Sequence, residues 1–168
     1  MNRDEAEFGR WAQERQVALL RTAVLLTGDR HRAEDLVQEA LTQVALRWGR
    51  LADGYPDAYA RQVIVRRNIS WWRKHRHEQV VELYDDAATT GGPEDAVDRR
   101  LMLGRALAGL SPRQRSLVVL RYYEDLTERD AADVLGVSVG TVKSETHHAL
   151  RRLRESAPEL AQLIGEDR

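Results

Sequence analysis

The segment TERDAADVLGVSVGTVKSETHHALRRLR, residues 127–154, contains two helical patterns that meet at Gly136-Val137-Ser138. Glycine can end the first helix in the left-handed conformation, and the serine side chain can cap the second. The second helix has an apolar stripe that we expect to face inward: Val142, Thr146, Ala149, Leu150 and Leu153. Its opposite face is polar and includes Lys143, Ser144, His147, His148, Arg151 and Arg154. The pattern predicts a helix-turn-helix.

Such a polar face suits the major groove of DNA, where short polar side chains read base edges and cations hold phosphates. Tight corners between helices are also common in all-α proteins that bind no nucleic acid. This segment alone therefore leaves two interpretations open. One is a DNA-reading helix, and the other is the solvated face of an ordinary bundle.

The composition is typical of a soluble protein without a covalent or metal framework. Charged residues make up 32% of the 168, and the mean hydropathy is −0.56. No apolar run approaches the ~20 residues that span a bilayer, so we expect a cytoplasmic protein with no membrane segment. The chain has no cysteine, and its five histidines lack the spacing of metal-binding motifs. We therefore expect no disulfide, metal ion or cofactor.

The net charge of −1 hides a segregation of charge along the chain. Residues 1–77 carry 14 basic and 10 acidic side chains, residues 78–98 carry 7 acidic and no basic ones, and residues 99–168 carry 12 basic and 10 acidic ones. Residues 78–98 also lose helical periodicity and contain Thr-Thr-Gly-Gly-Pro, which is typical of a flexible linker. The predicted fold class is all-α, with one helical bundle on each side of this acidic linker.

Helical periodicity predicts three helices in the first bundle, at about residues 4–26, 30–48 and 56–77. Gly28 and Asp29 are the predicted C-cap and N-cap between the first two helices. On the second helix, the side opposite the apolar stripe carries an acidic and amide cluster of Glu34, Asp35, Gln38 and Glu39. By default, such a cluster is solvated.

The third predicted helix ends in RRNISWWRKHRH and is strongly basic. Between Ala58 and His77 there are six Arg or Lys residues and no carboxylate. Trp71 and Trp72 point about 100° apart on a helix, so we expect one to anchor the core and the other to stand beside the cations. Bases of melted DNA could stack on such a ring while the cations hold the backbone. The alternative is that both indoles complete the core.

Both halves of the chain resemble the extracytoplasmic-function sigma factors, minimal transcription initiation factors of the sigma-70 family. GDRHRAEDLVQEALTQVALRW, residues 28–48, resembles their region 2.1 to 2.2. LSPRQRSLVVLRYYEDLTERDAADVLGVSVGTVKS, residues 110–144, resembles their region 4. The resemblance implies region 2 at 1–77, an acidic linker at 78–98 that passes through the polymerase cleft, and region 4 at 99–168.

The resemblance also implies partners and roles. The expected partners are core RNA polymerase, through its largest and beta subunits, double-stranded promoter DNA, the melted minus 10 strand and, in some family members, an anti-sigma factor. The residues expected to bind core polymerase are Asp35, Leu36, Gln38 and Glu39. Those expected to recognise or melt the minus 10 element are Arg61, Arg66, Arg67, Asn68, Trp71, Trp72, Arg73, Lys74 and Arg76. Those expected to read the minus 35 element are Thr127, Thr141, Lys143, Ser144, His147, His148 and Arg151.

Two departures from the family pattern affect these expectations. Family members commonly follow TVKS with Arg-Leu-x-Arg-Ala, where this chain has Glu145-Thr146-His147-His148-Ala149. Glutamate and histidine attract phosphate less than two cations would, and a carboxylate near the groove prefers cytosine amino groups. The pair Trp71-Trp72 replaces an Asp-containing pattern and resembles an actinobacterial, SigE-like subgroup.

The expected function is therefore a sigma factor that binds core polymerase, directs it to promoters and supports opening of the duplex, without enzymatic activity of its own. A rival interpretation is a stand-alone helix-turn-helix repressor or activator with an N-terminal effector or dimerisation domain. It predicts specific duplex binding without polymerase, and a palindromic site. An enzyme is the third alternative, but no nucleophile-base pair, phosphate loop or metal constellation is visible in the sequence.

Overall fold

The computed structural model describes residues 2–75 and 94–165, and every regular element within these ranges is helical. The helices of the first range are α1 (Arg3–Thr27), α2 (Arg30–Ala45), α3 (Trp48–Leu51) and α4 (Pro56–Lys74). Those of the second range are α5 (Glu94–Ala108), α6 (Pro112–Val118), α7 (Glu128–Leu135), α8 (Val139–Ser156) and α9 (Pro158–Gly165). The predicted all-α fold is confirmed.

The chain divides into two compact units, Met1–Lys74 and His75–Arg168. This division agrees with two helical bundles, but the predicted bounds 1–77, 78–98 and 99–168 stay predictions. Most of the predicted linker lies outside the described residues, and so does Arg76, which precedes it. Within the described ranges, no helix combines the length and the apolar character needed to cross a membrane.

The first unit is built from α1, α2 and α4, which pack against one another, with the short α3 at one corner. Its helix caps agree with the sequence: Gly28 ends α1 with a φ of 69°, and the Asp29 carboxylate accepts from the Arg32 amide at 3.2 Å. The predicted helix at 30–48 is shorter than expected. It ends at Ala45, which leaves Leu46 on the surface while Trp48 is buried at the start of α3.

Three aromatic rings join α1 to α3 and close one side of the first unit. Phe8 and Trp11 lie 5.6 and 5.7 Å from Trp48 between ring centroids, distances at which aromatic pairs attract. The Trp11 indole N–H also donates to the Asp57 carboxylate on α4 at 2.9 Å. The beginning of α1 is therefore tied to both α3 and α4.

The second unit is organised around α8, which packs against α6, α7 and α9. Ser111 and Gln114 form a reciprocal capping box at the start of α6, as their spacing in the sequence predicts. The sequence did not predict that α6 continues as a π-helical turn, Val119–Tyr123. A π-helical turn shifts the helical register by about one residue. Arg121 is buried in this turn, where its guanidinium donates to the Leu126 carbonyl.

Helices α7 and α8 form the predicted helix-turn-helix. Thr127 caps α7 by accepting from the Asp130 amide at 3.1 Å, and Ser138 caps α8 by accepting from the Thr141 amide at 3.1 Å. Gly136 has a φ of 67° between them. Three members of the predicted stripe are buried, Val142, Ala149 and Leu153, while Thr146 and Leu150 are half-buried.

Two glycines at or near this turn can be replaced by alanine with opposite expected effects on the free energy of unfolding. Gly136→Ala should lower the free energy of unfolding by about 1 kcal/mol, because alanine is strained in the left-handed conformation. Gly140→Ala should raise it by about 0.5 kcal/mol, because a helical alanine loses less chain entropy than glycine. Its Cβ would meet only ordinary contact, 3.8 Å from Ser138 Oγ. Guanidinium unfolding followed by circular dichroism measures both, and equal midpoints would contradict the assigned turn geometry.

Candidate nucleic-acid interface

The acidic face of the first unit consists of Glu34, Asp35, Gln38 and Glu39 on α2. Asp35 and Gln38 are exposed, and Leu36 beside them is half-buried. Glu34 pairs with Arg30 at 3.0 Å within the same helix. Glu39 is half-buried and pairs with Arg67 of α4 at 3.0 Å. Part of the negative charge is thus compensated from within the unit, and the exposed members of the face are Glu34, Asp35 and Gln38.

The tryptophan pair lies near the C-terminal end of α4. The Trp71 and Trp72 ring centroids are 5.1 Å apart, and the rings are nearly perpendicular at 88°. Neither indole is fully buried or fully exposed. The two rings therefore share a boundary position instead of dividing into a core anchor and a surface ring.

The cations of α4 form two rows along its surface. Arg66 and Arg73 are seven residues apart, as are Arg67 and Lys74, so each pair is aligned two turns apart on the helix. All four side chains are exposed, and Arg61 is half-buried. The arrangement gives a cationic surface that runs along α4 to the tryptophan pair, which suits a nucleic-acid backbone.

Asn68 lies in the interior, unlike the cations around it. Its side chain is 1% exposed, and its amide N–H donates to the Leu26 carbonyl at 3.2 Å. Its carbonyl oxygen accepts from the Arg32 guanidinium at 2.9 Å. The expectation that Asn68 contacts DNA is not supported by this position, because its polar atoms are used to join α1, α2 and α4.

Arg32 is a residue that the sequence interpretation missed. Its guanidinium carbon lies 3.3 Å from the centroid of the Trp71 ring and 5.2 Å from that of Trp72. Arg32 is 39 and 40 positions away from these rings in the chain, so neither periodicity nor local motif could indicate the contact.

The exposed face of α8 carries the residues expected to read the minus 35 element. Lys143, Ser144, His147, His148 and Arg151 are all exposed. The His147 and His148 rings lie 5.9 Å apart, and Lys143 Nζ lies 3.8 Å from the Glu128 carboxylate.

The two threonines of the predicted set lie at the starts of α7 and α8. The exposed Thr127 hydroxyl donates to the Asp130 carboxylate at 2.8 Å while it caps α7. Thr141 is half-buried, and its hydroxyl lies 2.9 Å from that of Ser138. Glu145, the departure from the family pattern, is half-buried and thus less prominent than the histidines that follow it.

The described residues offer surfaces for binding and no centre for metal chemistry. Among residues 2–75 and 94–165, no group of three or more His, Asp or Glu side chains could hold a metal ion. The acidic face, the cationic surface of α4 and the tryptophan pair belong to the first unit, and the α8 face belongs to the second.

Comparison with known families gives a match in each unit. The family model described as "Sigma-70 region 2" matches residues 12–78. The family model described as "Sigma-70, region 4" matches residues 100–153. The "RNA polymerase sigma-E factor" of Streptomyces avermitilis is 43% identical over 151 residues, which cover 89% of this chain and 84% of the relative. The "ECF RNA polymerase sigma factor SigL" of Mycobacterium tuberculosis is 36% identical over 153 residues, which cover 88% and 86%.

Solved structures show the same fold. The sigma factor RpoE in complex with the anti-sigma factor NepR, from Bartonella quintana, matches with a TM-score of 0.68 and 25% identity. The match covers 96% of this chain and 98% of that one. CnrH in complex with the cytosolic domain of CnrY matches with a TM-score of 0.61 over 96% of this chain, at 20% identity.

Proposed function

Because this chain belongs to the sigma-70 family, as an extracytoplasmic-function sigma factor that directs promoter recognition by RNA polymerase, we propose how its two units divide that task. The first unit docks on core polymerase and opens the minus 10 element. The second unit reads the minus 35 element as duplex. The observation that carries this proposal is the match of each half to a different sigma-70 region, with the exposed polar faces lying inside those matches.

Docking on core polymerase is assigned to Asp35, Leu36, Gln38 and Glu39. The exposed Asp35 and Gln38 provide negative charge and hydrogen-bonding capacity on one face of α2. A basic partner surface would be complementary to them, and complementary charge speeds association and fixes the register of docking. We assign the coiled coil of the largest polymerase subunit as this partner, with further contact to the beta subunit.

Promoter opening is assigned to the tryptophan pair and the cationic surface of α4. Arg66, Arg67, Arg73 and Lys74 supply exposed charge for the phosphate backbone. The partly exposed indoles supply surfaces on which unpaired bases stack. Arg61 lies on the same helix and is proposed as a secondary contact to the minus 10 DNA. Arg76 remains part of the proposal by sequence alone.

Recognition of the minus 35 element is assigned to the exposed face of α8. Ser144, His147 and His148 can hydrogen-bond to base edges, whereas Lys143 and Arg151 can hold phosphates. Thr127 caps α7, and the Thr141 hydroxyl lies beside that of Ser138, which caps α8. Both threonines thus lie at helix N-termini, where backbone amides favour a phosphate.

Lys143→Ala is expected to weaken promoter binding by the holoenzyme to a similar extent on different minus 35 sequences. The slope of log affinity against log salt concentration should become shallower by about 1, because one phosphate contact is lost. Fluorescence anisotropy across a salt series measures this slope. Arg105→Ala removes an exposed arginine from α5 and serves as the control. A loss confined to one minus 35 sequence would instead make Lys143 a base contact.

A regulatory partner is also proposed. The Bartonella quintana relative was solved in complex with an anti-sigma factor. On this ground we propose that a protein of that class can hold the present chain inactive. A pull-down of the tagged chain from its native cell extract should recover core polymerase and the inhibitor. Recovery of polymerase alone, under both resting and stress conditions, would contradict this part of the proposal.

The decisive experiment for the function is reconstituted transcription. Purified chain plus core polymerase should give promoter-dependent run-off transcripts on genomic templates, whereas core polymerase alone should not. The absence of any transcript, in a reaction where a known sigma factor gives one, would overturn the proposal. The rival repressor or activator is not favoured, because residues 12–78 match sigma region 2 and not an effector domain. Tight, specific duplex binding without polymerase would revive it.

A further inference from the structure

A continuous set of contacts connects the body of the first unit to the tryptophan pair. The Leu26 carbonyl, near the end of α1, accepts from Asn68, and Asn68 accepts from Arg32 of α2. The Arg32 guanidinium lies against Trp71, and Trp71 lies against Trp72. The three helices thus meet in one chain of contacts that ends at the rings.

Arg32 is the residue of this chain of contacts that lies against the Trp71 ring, and both its backbone and its side chain are held in place. Its backbone amide is fixed by the Asp29 cap at the start of α2, and its guanidinium is fixed by Asn68 at 2.9 Å. Asn68 is itself buried at 1% exposure and anchored to Leu26, so it forms a rigid support. A planar, permanently charged guanidinium can donate from its edge while its face lies on an aromatic ring.

We propose that Arg32 is a positioning residue for promoter opening, which holds the Trp71-Trp72 pair in the orientation that receives unpaired bases. The inference rests on the proposed role of the tryptophan pair. A half-exposed indole without such support would sample several rotamers, and each base would then have to order the ring as it stacks. Because Arg32 orders the ring before any base arrives, the base does not have to order it on stacking.

The position of Arg32 on α2 has a second consequence. Arg32 lies three residues, about one helical turn, before Asp35, which belongs to the proposed polymerase-docking face. The helix that docks on polymerase therefore also carries the residue that orients the tryptophans. Holding both on one rigid helix keeps the melting surface at a fixed position relative to the polymerase.

The test compares Arg32→Ala, Arg32→Lys and Arg30→Ala in holoenzyme with the full chain. Arg30 lies on the first turn of the same helix and makes an exposed pair with Glu34, so it controls for loss of a nearby arginine. Open complex is measured by permanganate reactivity on a promoter that the wild-type holoenzyme opens. On that promoter with a mismatched minus 10 segment, whose unpaired thymines react with permanganate even without protein, run-off transcription is measured instead.

Arg32→Ala should reduce open complex on the duplex about tenfold, the size expected for loss of a partly desolvated cation–π contact. On the mismatched template it should stay within about twofold of wild type, because the duplex no longer has to be opened. Arg32→Lys should be defective on the duplex too, because an ammonium cannot pair with Asn68 from its edge while stacking. Arg30→Ala should match wild type on both templates.

Three outcomes would overturn the inference. Equal losses on duplex and mismatched templates would show that Arg32 supports only the fold, as would a matching loss of core binding. Full activity of Arg32→Lys would show that charge suffices and that orientation does not matter. Wild-type opening by Arg32→Ala would exclude any role. The double variant Trp71→Ala with Trp72→Ala is measured in parallel. If it opens the duplex normally, the proposed function of the tryptophan pair is wrong, and the inference about Arg32 is wrong as well.

Discussion

The double substitution Trp71→Ala with Trp72→Ala is expected to reduce open complex at least about 30-fold while leaving closed-complex binding within about threefold of wild type. Base–aromatic stacking contributes about 1–3 kcal/mol per base, so two lost stacks remove at least about 2 kcal/mol. Closed binding depends mainly on phosphate contacts and on the minus 35 element, which these rings do not touch. Permanganate footprinting measures the first step, and a gel shift with heparin-free buffer measures the second.

The half-buried position of both rings requires a control for packing. Trp71→Phe with Trp72→Phe keeps an aromatic face at each site and should recover most of the opening, because every base can stack on a phenyl ring. Circular dichroism and thermal unfolding of both double variants show whether the first unit remains folded. Equal losses in closed and open complex, without recovery by phenylalanine, would assign the pair to packing alone.

The double substitution Asp35→Arg with Gln38→Arg is expected to weaken binding to core polymerase about 100-fold. Both side chains are exposed on the acidic face of α2, so the change converts an acidic contact into a basic one. Like charges placed opposite one another across an interface cost several kcal/mol, and about 2.7 kcal/mol corresponds to a hundredfold change in affinity. Competition with a labelled wild-type chain for a limiting amount of core polymerase measures the affinity.

A matched control is available on α1, where Gln13 and Glu14 are exposed. Gln13→Arg with Glu14→Arg also replaces one amide and one carboxylate, so it gives the same change in net charge. We expect this control to bind polymerase like wild type, and both variants to retain the helical circular dichroism spectrum. Unchanged affinity of the Asp35 and Gln38 variant would refute the docking assignment, and equal weakening of both variants would reduce it to a net-charge effect.

Much of the fold follows from local rules that act within a few residues. Gly28 and Gly136 both end helices with positive φ, as their places in the pattern predict. Asp29, Ser111 and Ser138 all accept from backbone amides three residues ahead. Capping and side-chain periodicity are short-range properties, so a single sequence is sufficient to locate them. Helix ends were less accurate, as the end of α2 at Ala45 shows.

The candidate surfaces were predictable in composition but not in contacts. The exposed polar residues of α8 follow from the 3.6-residue period, since its apolar stripe must face the core. Periodicity cannot say which exposed charges pair with another helix. Glu39 and Arg67 were assigned to two different functions, yet they form an ion pair at 3.0 Å between α2 and α4. The acidic face of α2 and the cationic surface of α4 are therefore neighbours in the bundle, although Glu39 and Arg67 are 28 residues apart in the sequence.

The sequence by itself determined the all-helical class, the helix-turn-helix and the family, because each depends on local periodicity, caps or motifs. Only the tertiary structure decided that Asn68 is buried, that Arg32 lies on Trp71, and that α6 continues as a π-helical turn. The Arg32 to Asn68 and Asn68 to Leu26 hydrogen bonds join residues 36 and 42 positions apart. Such contacts depend on how whole helices pack, since a polar side chain is buried only where a distant helix supplies its hydrogen-bond partner.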